Sequence, residues 1–211
     1  MGHDIVLQPS ARHLGVHLQR GLSGVAHVRI TAEKAANAAN NIAKILPRTH
    51  GATEAQRRVL SAVAESIALY AAPIWAPTAL RLKKNEGQLE RVQRITTIRI
   101  TRAYKTASTQ DFLVLAKTTP WSLVAKGRAV LYDRYDPGQH PGSEDEEDEG
   151  TTRQEAEETT LVRWQSSWDT SDKGRWTHRC IPIIEDWIKR SHGDLTYHTT
   201  QILTNHGNFQ Q

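Results

Sequence analysis

The residues best equipped for chemistry lie in the last fifth of the 211-residue chain. Trp164-Gln165-Ser166-Ser167-Trp168 leads into Lys173-Gly174-Arg175-Trp176-Thr177-His178-Arg179, and Asn205-His206-Gly207-Asn208-Phe209 follows near the end. Indole rings beside guanidinium groups suit unpaired nucleic-acid bases, because every base offers a face to stack on and every nucleotide carries a phosphate. Arg175, Trp176 and His178 are therefore candidate nucleic-acid contacts, flanked by Arg163 and Arg179. Tryptophans at helical spacing are more often core, so Trp164, Trp168 and Trp187 are expected inside, leaving Trp176 as the exposed platform. His178 can equally be a structural hydrogen-bonding residue. Zinc takes imidazole nitrogen and thiolate sulfur, and Cys180 with His178, His192, His198 or His206 is a conceivable mixed set. A buried structural Cys180 is the preferred reading, and no metal site is assigned.

A second set is basic. Arg57, Arg58, Lys84, Arg91 and Arg94 lie on helical patterns where they can meet phosphates, which would hold a nucleic acid in register without reading its sequence. Taken singly, each is as much at home on a solvated face. Their setting is a charge asymmetry: residues 1 to 140 hold 20 Lys and Arg against 9 Asp and Glu, whereas residues 141 to 211 hold 7 against 14. Clustered cations of this kind suit a polyanion. Carboxylates for two-metal phosphoryl transfer are lacking: Tyr132-Asp133 and Tyr135-Asp136 each stand without a second adjacent aspartate. No catalytic residue is assigned.

The elements that must position these residues are mainly α-helical. Asp4 to Leu7 and His13 to Leu18, separated by Pro9 and Ser10, read as two strands of a hairpin. Such a pair is marginal alone and is expected to belong to a larger sheet. Val25, Val28, Ala32, Ala35, Ala36, Ala39, Ala43 and Leu46 then mark an alanine-rich helix stopped by Pro47. A second helix opens at Thr53 and Glu54, with Val59, Leu60, Val63, Ile67 and Tyr70 as its buried stripe, until Pro73 and Pro77 break it. A third runs from about Ala79 to Ala103, with Leu82, Leu89, Val92 and Ile100 inward. Two shorter helices follow, near Gln110 to Lys117, capped by Ser108 or Thr109, and Trp121 to Tyr132. Asp136 to Glu158, with six consecutive acids, reads as a linker. A further helix is expected from near Pro182, with Ile183, Ile184, Trp187 and Ile188. No stretch of about 18 apolar residues and no secretory pattern is present, so no membrane contact and an intracellular address are expected.

These residues resemble the C-terminal part of the reverse transcriptase of non-LTR retrotransposons, of the insect ribosomal-DNA-inserting and jockey-like type. His13-Leu14-Gly15-Val16 looks like the family's Leu-Gly-Val turn at the palm edge. Arg57-Arg58-Val59-Leu60 and Tyr70-Ala71-Ala72-Pro73-Ile74-Trp75 are similar to its thumb. The paired tryptophans, the Gly-Arg-Trp-Thr-His string and the terminal His206-Gly207 occur in its order. The resemblance implies a palm-edge hairpin at 1–23, a thumb-like bundle at 24–135, the acidic linker at 136–158 and a Trp/His-rich connector at 159–211. It further implies that Leu14, Gly15 and Val16 position a primer end, that the parent protein makes DNA on an RNA template in target-primed integration, and that the nucleus is the place of that activity. RNA and DNA are the implied partners, with palm, fingers and endonuclease segments outside this chain. Mg²⁺ is expected only for the full-length polymerase, and no cofactor for this chain. The family's Tyr-X-Asp-Asp turn and its Cys-Cys-His-Cys knuckle are not in the sequence, so the chain is expected to be silent by itself. A helical protein-interaction module and a decayed copy of the element are the alternatives.

Overall fold

The computed structural model describes residues 8–46, 51–134 and 146–207. Asp4–Leu7, Pro47, Tyr135, the first part of the acidic segment and Asn208-Phe209 lie outside them. The described residues form ten helices and one two-stranded antiparallel hairpin, so the chain is mainly α. Among them no single helix is long and apolar enough to cross a membrane.

The hairpin pairs β1 (Ser10–His13) with β2 (Val16–Gln19), in a register that sets His13 opposite Val16. The turn thus falls inside the apolar run His13 to Leu18, which by its composition reads as one strand. Leu14 and Gly15 both have positive φ, 44° and 84°, and two such residues between paired strands make the tight turn whose twist matches a hairpin.

Helix α1 (Val25–Ile45) buries Val28, Ala32, Ala35 and Ala39. Beside it runs α4 (Lys83–Thr101) in the same direction, since Arg99 near its end donates to the Leu46 carbonyl just past α1. Helix α2 (Glu54–Ala68) returns antiparallel to both and starts with a Thr53/Gln56 capping box. Its buried residues are Arg57, Ser61, Ala64 and Ala68; of the stripe expected, Ile67 packs half-buried against the core and Leu60 is half-buried, but Val59 is 70% exposed, and Val63 and Tyr70 are also on the surface. The reason is the partner. An alanine face on α1 rewards an equally small face on α2, because backbones can then approach closely. Leu82, expected inward on the third helix, is likewise exposed.

The proline-bearing segment bends the chain without ending helical structure. Ala71 adopts a left-handed conformation, and α3 (Ala72–Ala79) then starts with Pro73 in its first turn, where a missing N–H costs little. It leaves α2 at 70° and packs Trp75, Ala76 and Ala79 with Trp121, Ala125 and Ala129 of α6 (Trp121–Arg134). Between α4 and α6, α5 (Thr109–Leu115) is buried over Asp111 to Ala116 and capped by Ser108. Helix α7 (Glu146–Asp169) occupies the second part of the segment expected as a linker, so residues 146 to 158 are helical, and Arg134 pairs with Glu155 at 3.0 Å. Three short helices complete the chain: α8 (Arg175–Cys180), α9 (Ile184–Lys189) and α10 (Tyr197–Thr204). Trp164 and Trp168 of α7 are buried with Ile181, Ile184 and Leu195 against Leu113, Val114 and Leu115 of α5.

Candidate functional site

The basic candidates divide into tethered and free side chains. Arg57 is fully buried; its Nε donates to the Ala52 carbonyl and its Nη1 to the Arg99 carbonyl, both at 3.0 Å. It satisfies one carbonyl just before α2 and one near the end of α4, and its burial keeps it from a phosphate. Arg58 is held by Glu54 and donates to the Ala116 carbonyl. Arg94 spends its guanidinium on Thr109 Oγ1 at 2.8 Å and on the Lys105 and Ala107 carbonyls at 2.6 and 2.9 Å, and lies 4.6 Å over the Phe112 ring. These three arginines brace the bundle. Lys84 and Arg91 are exposed on α4 and, among the described residues, have no ion pair or side-chain hydrogen bond; a spacing of seven residues puts them on one face about 10.5 Å apart along the axis.

The hairpin residues are tied to the bundle. Leu14 projects outward at 80% exposure, Val16 is buried, and the Tyr70 hydroxyl donates to the Leu14 carbonyl at 2.9 Å. A Cβ at Gly15 would meet the Tyr70 ring at 3.0 Å, so the positive φ and the close approach both require glycine. His27, which the sequence did not single out, locks this junction. Its Nδ1 accepts the His17 N–H at 3.2 Å, which leaves Nε2 to carry the proton and donate to the Tyr70 carbonyl, also at 3.2 Å. Desolvation lowers the His27 pKa below 6.5 against the opposing Tyr70 hydrogen bond, and the charges of His17 and Lys34 act in the same direction as burial.

In the tail, every member of the Gly-Arg-Trp-Thr-His string has a partner inside the protein. Gly174 has φ +73°, and a Cβ there would lie 2.1 Å from Asp111 Oδ1. Arg175 donates to the Asp169 and Ser171 carbonyls at 3.1 and 3.2 Å. Trp176 is 45% exposed while its Nε1 donates to the Ile202 carbonyl at 3.0 Å. Thr177 donates to the Leu203 carbonyl at 2.8 Å, and His178 meets Asp169 at 2.9 Å with its ring 5.3 Å from that of Trp168. That hydrogen bond holds the Asp169 carboxyl below its ordinary range. The string thus docks α8 onto α5, α7 and α10, and only Trp176 within it combines a large ring with exposure.

A cleft of about 740 Å³ opens where this string meets the bundle, lined among others by Arg94, Ser108, Asp111, Gly174, Trp176 and His206. Asp111 closes a capping box with Ser108, its Oδ2 accepting the Ser108 N–H at 3.1 Å, while among the described residues Oδ1 meets no donor within hydrogen-bonding geometry. Burial pushes this carboxyl up, with the bonds from Ser108 opposing. The Ser108-x-x-Asp111 spacing is the sequence signal for that cap; nothing in the sequence announces its contact with Gly174. Glu54, also unforeseen, accepts the Leu195 N–H at 2.9 Å and so ties the start of α2 to the tail. Burial opposes ionisation of Glu54, but Leu195 and Arg58 outweigh it and hold the carboxyl low. Cys180 is exposed, not the buried structural thiol expected, and among the described residues no three His, Cys, Asp or Glu side chains converge as metal ligands.

No protein-family model and no solved structure matches the chain. It is 26% identical over 219 residues to the putative 115 kDa protein in type-1 retrotransposable element R1DM of Drosophila melanogaster, covering 99% of this chain and 21% of that protein. To the retrovirus-related Pol polyprotein from type-1 retrotransposable element R1 of Bradysia coprophila it is 25% identical over 214 residues, 98% of this chain and 21% of the relative. The Pol polyprotein from element R1 4 of Nasonia vitripennis is 25% identical over 227 residues, all of this chain and 55% of the relative. The chain spans about a fifth of the length of the first two. With likeness running through hairpin, bundle and tail alike, the chain is similar from end to end to a segment of the polyproteins of R1-type retrotransposable elements.

Proposed function

We propose that this chain is the part of an R1-type reverse transcriptase that grips template–primer nucleic acid beside the polymerase centre, while palm, fingers and endonuclease segments of the parent protein supply the chemistry. The carrying observation is Lys84 and Arg91: two exposed cations on one face of α4, untethered among the described residues, in a region with a large basic surplus. They act as point charges on phosphate, giving affinity and hold without sequence preference. Mg²⁺ belongs in this proposal to the full-length polymerase, and the nucleus is where the parent activity would act.

The test is binding of the purified chain to a labelled blunt RNA–DNA hybrid across a salt series, with Lys84→Ala/Arg91→Ala beside it. The salt slope falls by about 0.9 for each phosphate that is no longer neutralised, so the double variant is expected to flatten it by nearly 2 and bind more weakly. Equal slopes in the two proteins would overturn the grip. One observation favours a second reading, a protein-interaction module: Val59, Val63, Tyr70 and Ile74 expose apolar surface along α2 and the start of α3. No binding to the hybrid at low salt would move the function there.

A further inference from the structure

We propose that the tail carries a separate binding track for single-stranded nucleic acid, an aromatic strip running from Trp176 across α10 to Tyr104. Three contacts and one helical turn link its members. Trp176 Nε1 reaches the Ile202 carbonyl at 3.0 Å, and Ile202 is itself 55% exposed. His198 lies one turn before Ile202 on α10, with its ring 5.5 Å from that of Tyr197. Tyr197 in turn donates to the Tyr104 hydroxyl at 2.8 Å, the two rings standing edge to face with centroids 6.1 Å apart. His198 and Ile202, four residues apart, share one face of α10 and lie about 6 Å apart along its axis.

Charge selects the occupant. Residues 102–110, 173–184 and 195–207, which carry the strip, contain no acidic residue, although Asp172, Glu185 and Asp194 stand exposed at their edges. Lys105 beside Tyr104, and Arg179 one turn from Trp176 on α8, are exposed and, among the described residues, tether nothing with their side chains. Rings for bases with cations at both ends suit a single strand, whose bases are open, and not a duplex, whose bases are already stacked. The track uses none of the residues of the duplex grip, so the two stand or fall separately.

The experiment follows quenching of tryptophan fluorescence in the full chain by ten-nucleotide oligo(U) and oligo(dT) at low salt, because Trp75, Trp121, Trp164 and Trp168 are buried, Trp187 is half-buried beneath Arg190 and Trp176 is exposed, and loss of the quenching in Trp176→Leu assigns it to Trp176. Both probes are expected to quench, and Trp176→Leu and Tyr104→Leu/Tyr197→Leu to bind about tenfold more weakly by a labelled-probe assay, the effect of one base left unstacked. Lys105→Glu/Arg179→Glu removes no internal contact and is expected to weaken binding and flatten its salt dependence. This pair decides the matter if a ring variant shifts the unfolding midpoint. Absence of quenching by both probes, or wild-type affinity in the charge-reversed pair, would overturn the track. Lys84→Ala/Arg91→Ala, read on the blunt hybrid, reports on the duplex grip alone.

Discussion

Replacing Gly174 by alanine tests how the tail is locked to the bundle. Two costs arise at this position. A φ of +73° puts an L residue in the left-handed region, worth about 1 to 2 kcal/mol. The added Cβ would also stand 2.1 Å from Asp111 Oδ1 and 3.1 Å from Ser108 Oγ. Ordinary van der Waals contact begins at 3.4 Å, so Asp111 must shift by more than 1 Å, and it is only 3% exposed and held in a cap. Forced overpacking of that kind costs about 1 to 3 kcal/mol. Gly21 isolates the first cost, since it has φ +85° and nothing within 4 Å of its Cβ position. Urea denaturation followed by tryptophan fluorescence is expected to give a loss of about 1 kcal/mol for Gly21→Ala and about 3 for Gly174→Ala, with m unchanged. Asp111→Ala by itself loses a cap side chain, about 1 kcal/mol, yet combined with Gly174→Ala it removes the clash, so the pair should recover about 2 kcal/mol relative to additivity. A Gly174→Ala no less stable than Gly21→Ala, or a strictly additive double variant, would refute the steric account.

Three further outcomes follow from the same contacts. His27 has its pKa depressed in the fold, so the unfolded chain takes up the proton first as pH falls below about 6.5, and stability present above that pH is lost through the window down to the folded value. Wild type should lose more stability than His27→Gln between pH values of about 7.5 and 5.5, and parallel pH profiles would count against the His17–His27–Tyr70 relay. Arg57→Met should cost about 3 kcal/mol in urea midpoints by stripping charged donors from the Ala52 and Arg99 carbonyls, without changing the salt slope of hybrid binding in the folded protein; a change in that slope would return Arg57 to the binding set. Gln201 is buried and, among the described residues, neither side-chain amide atom is hydrogen-bonded, so Gln201→Met is expected to raise stability by about 1 kcal/mol, and a loss instead would show that the amide has a partner.

Helical spacing made the tryptophans legible: Trp164 and Trp168 sit one turn apart and are both core. The same reasoning failed on α2, because that helix carries two candidate stripes and spacing cannot say which faces inward. Size complementarity with α1 decided for Ala64 and Ala68 over Val59 and Val63. Charge misled similarly at Arg57 and Arg94, since a guanidinium can enter the fold when backbone carbonyls await it, and those carbonyls become neighbours only through tertiary structure. Residues 146 to 158 read as solvated, which an acidic helix can be. The Gly-Arg-Trp-Thr-His string was visible as a motif, but its work as a docking seam depends on Asp111, far earlier in the chain.

Helix α5 contributes to two cores at once: Phe112 packs with Ala103 and Ala107, and the next three residues pack with Trp164, Trp168 and Ile184. A seven-residue helix shared in this way behaves as a keystone. Bundle and tail should melt in one transition, because neither can shed α5 without opening its own interior. Such a joint also works as a fixed caliper. If the proposed grip at Lys84 and Arg91 and the proposed Trp176-to-Tyr104 strip both take nucleic acid, their separation is set by this joint, so a junction between paired and unpaired strands would be gauged by the protein and not by a flexible tether.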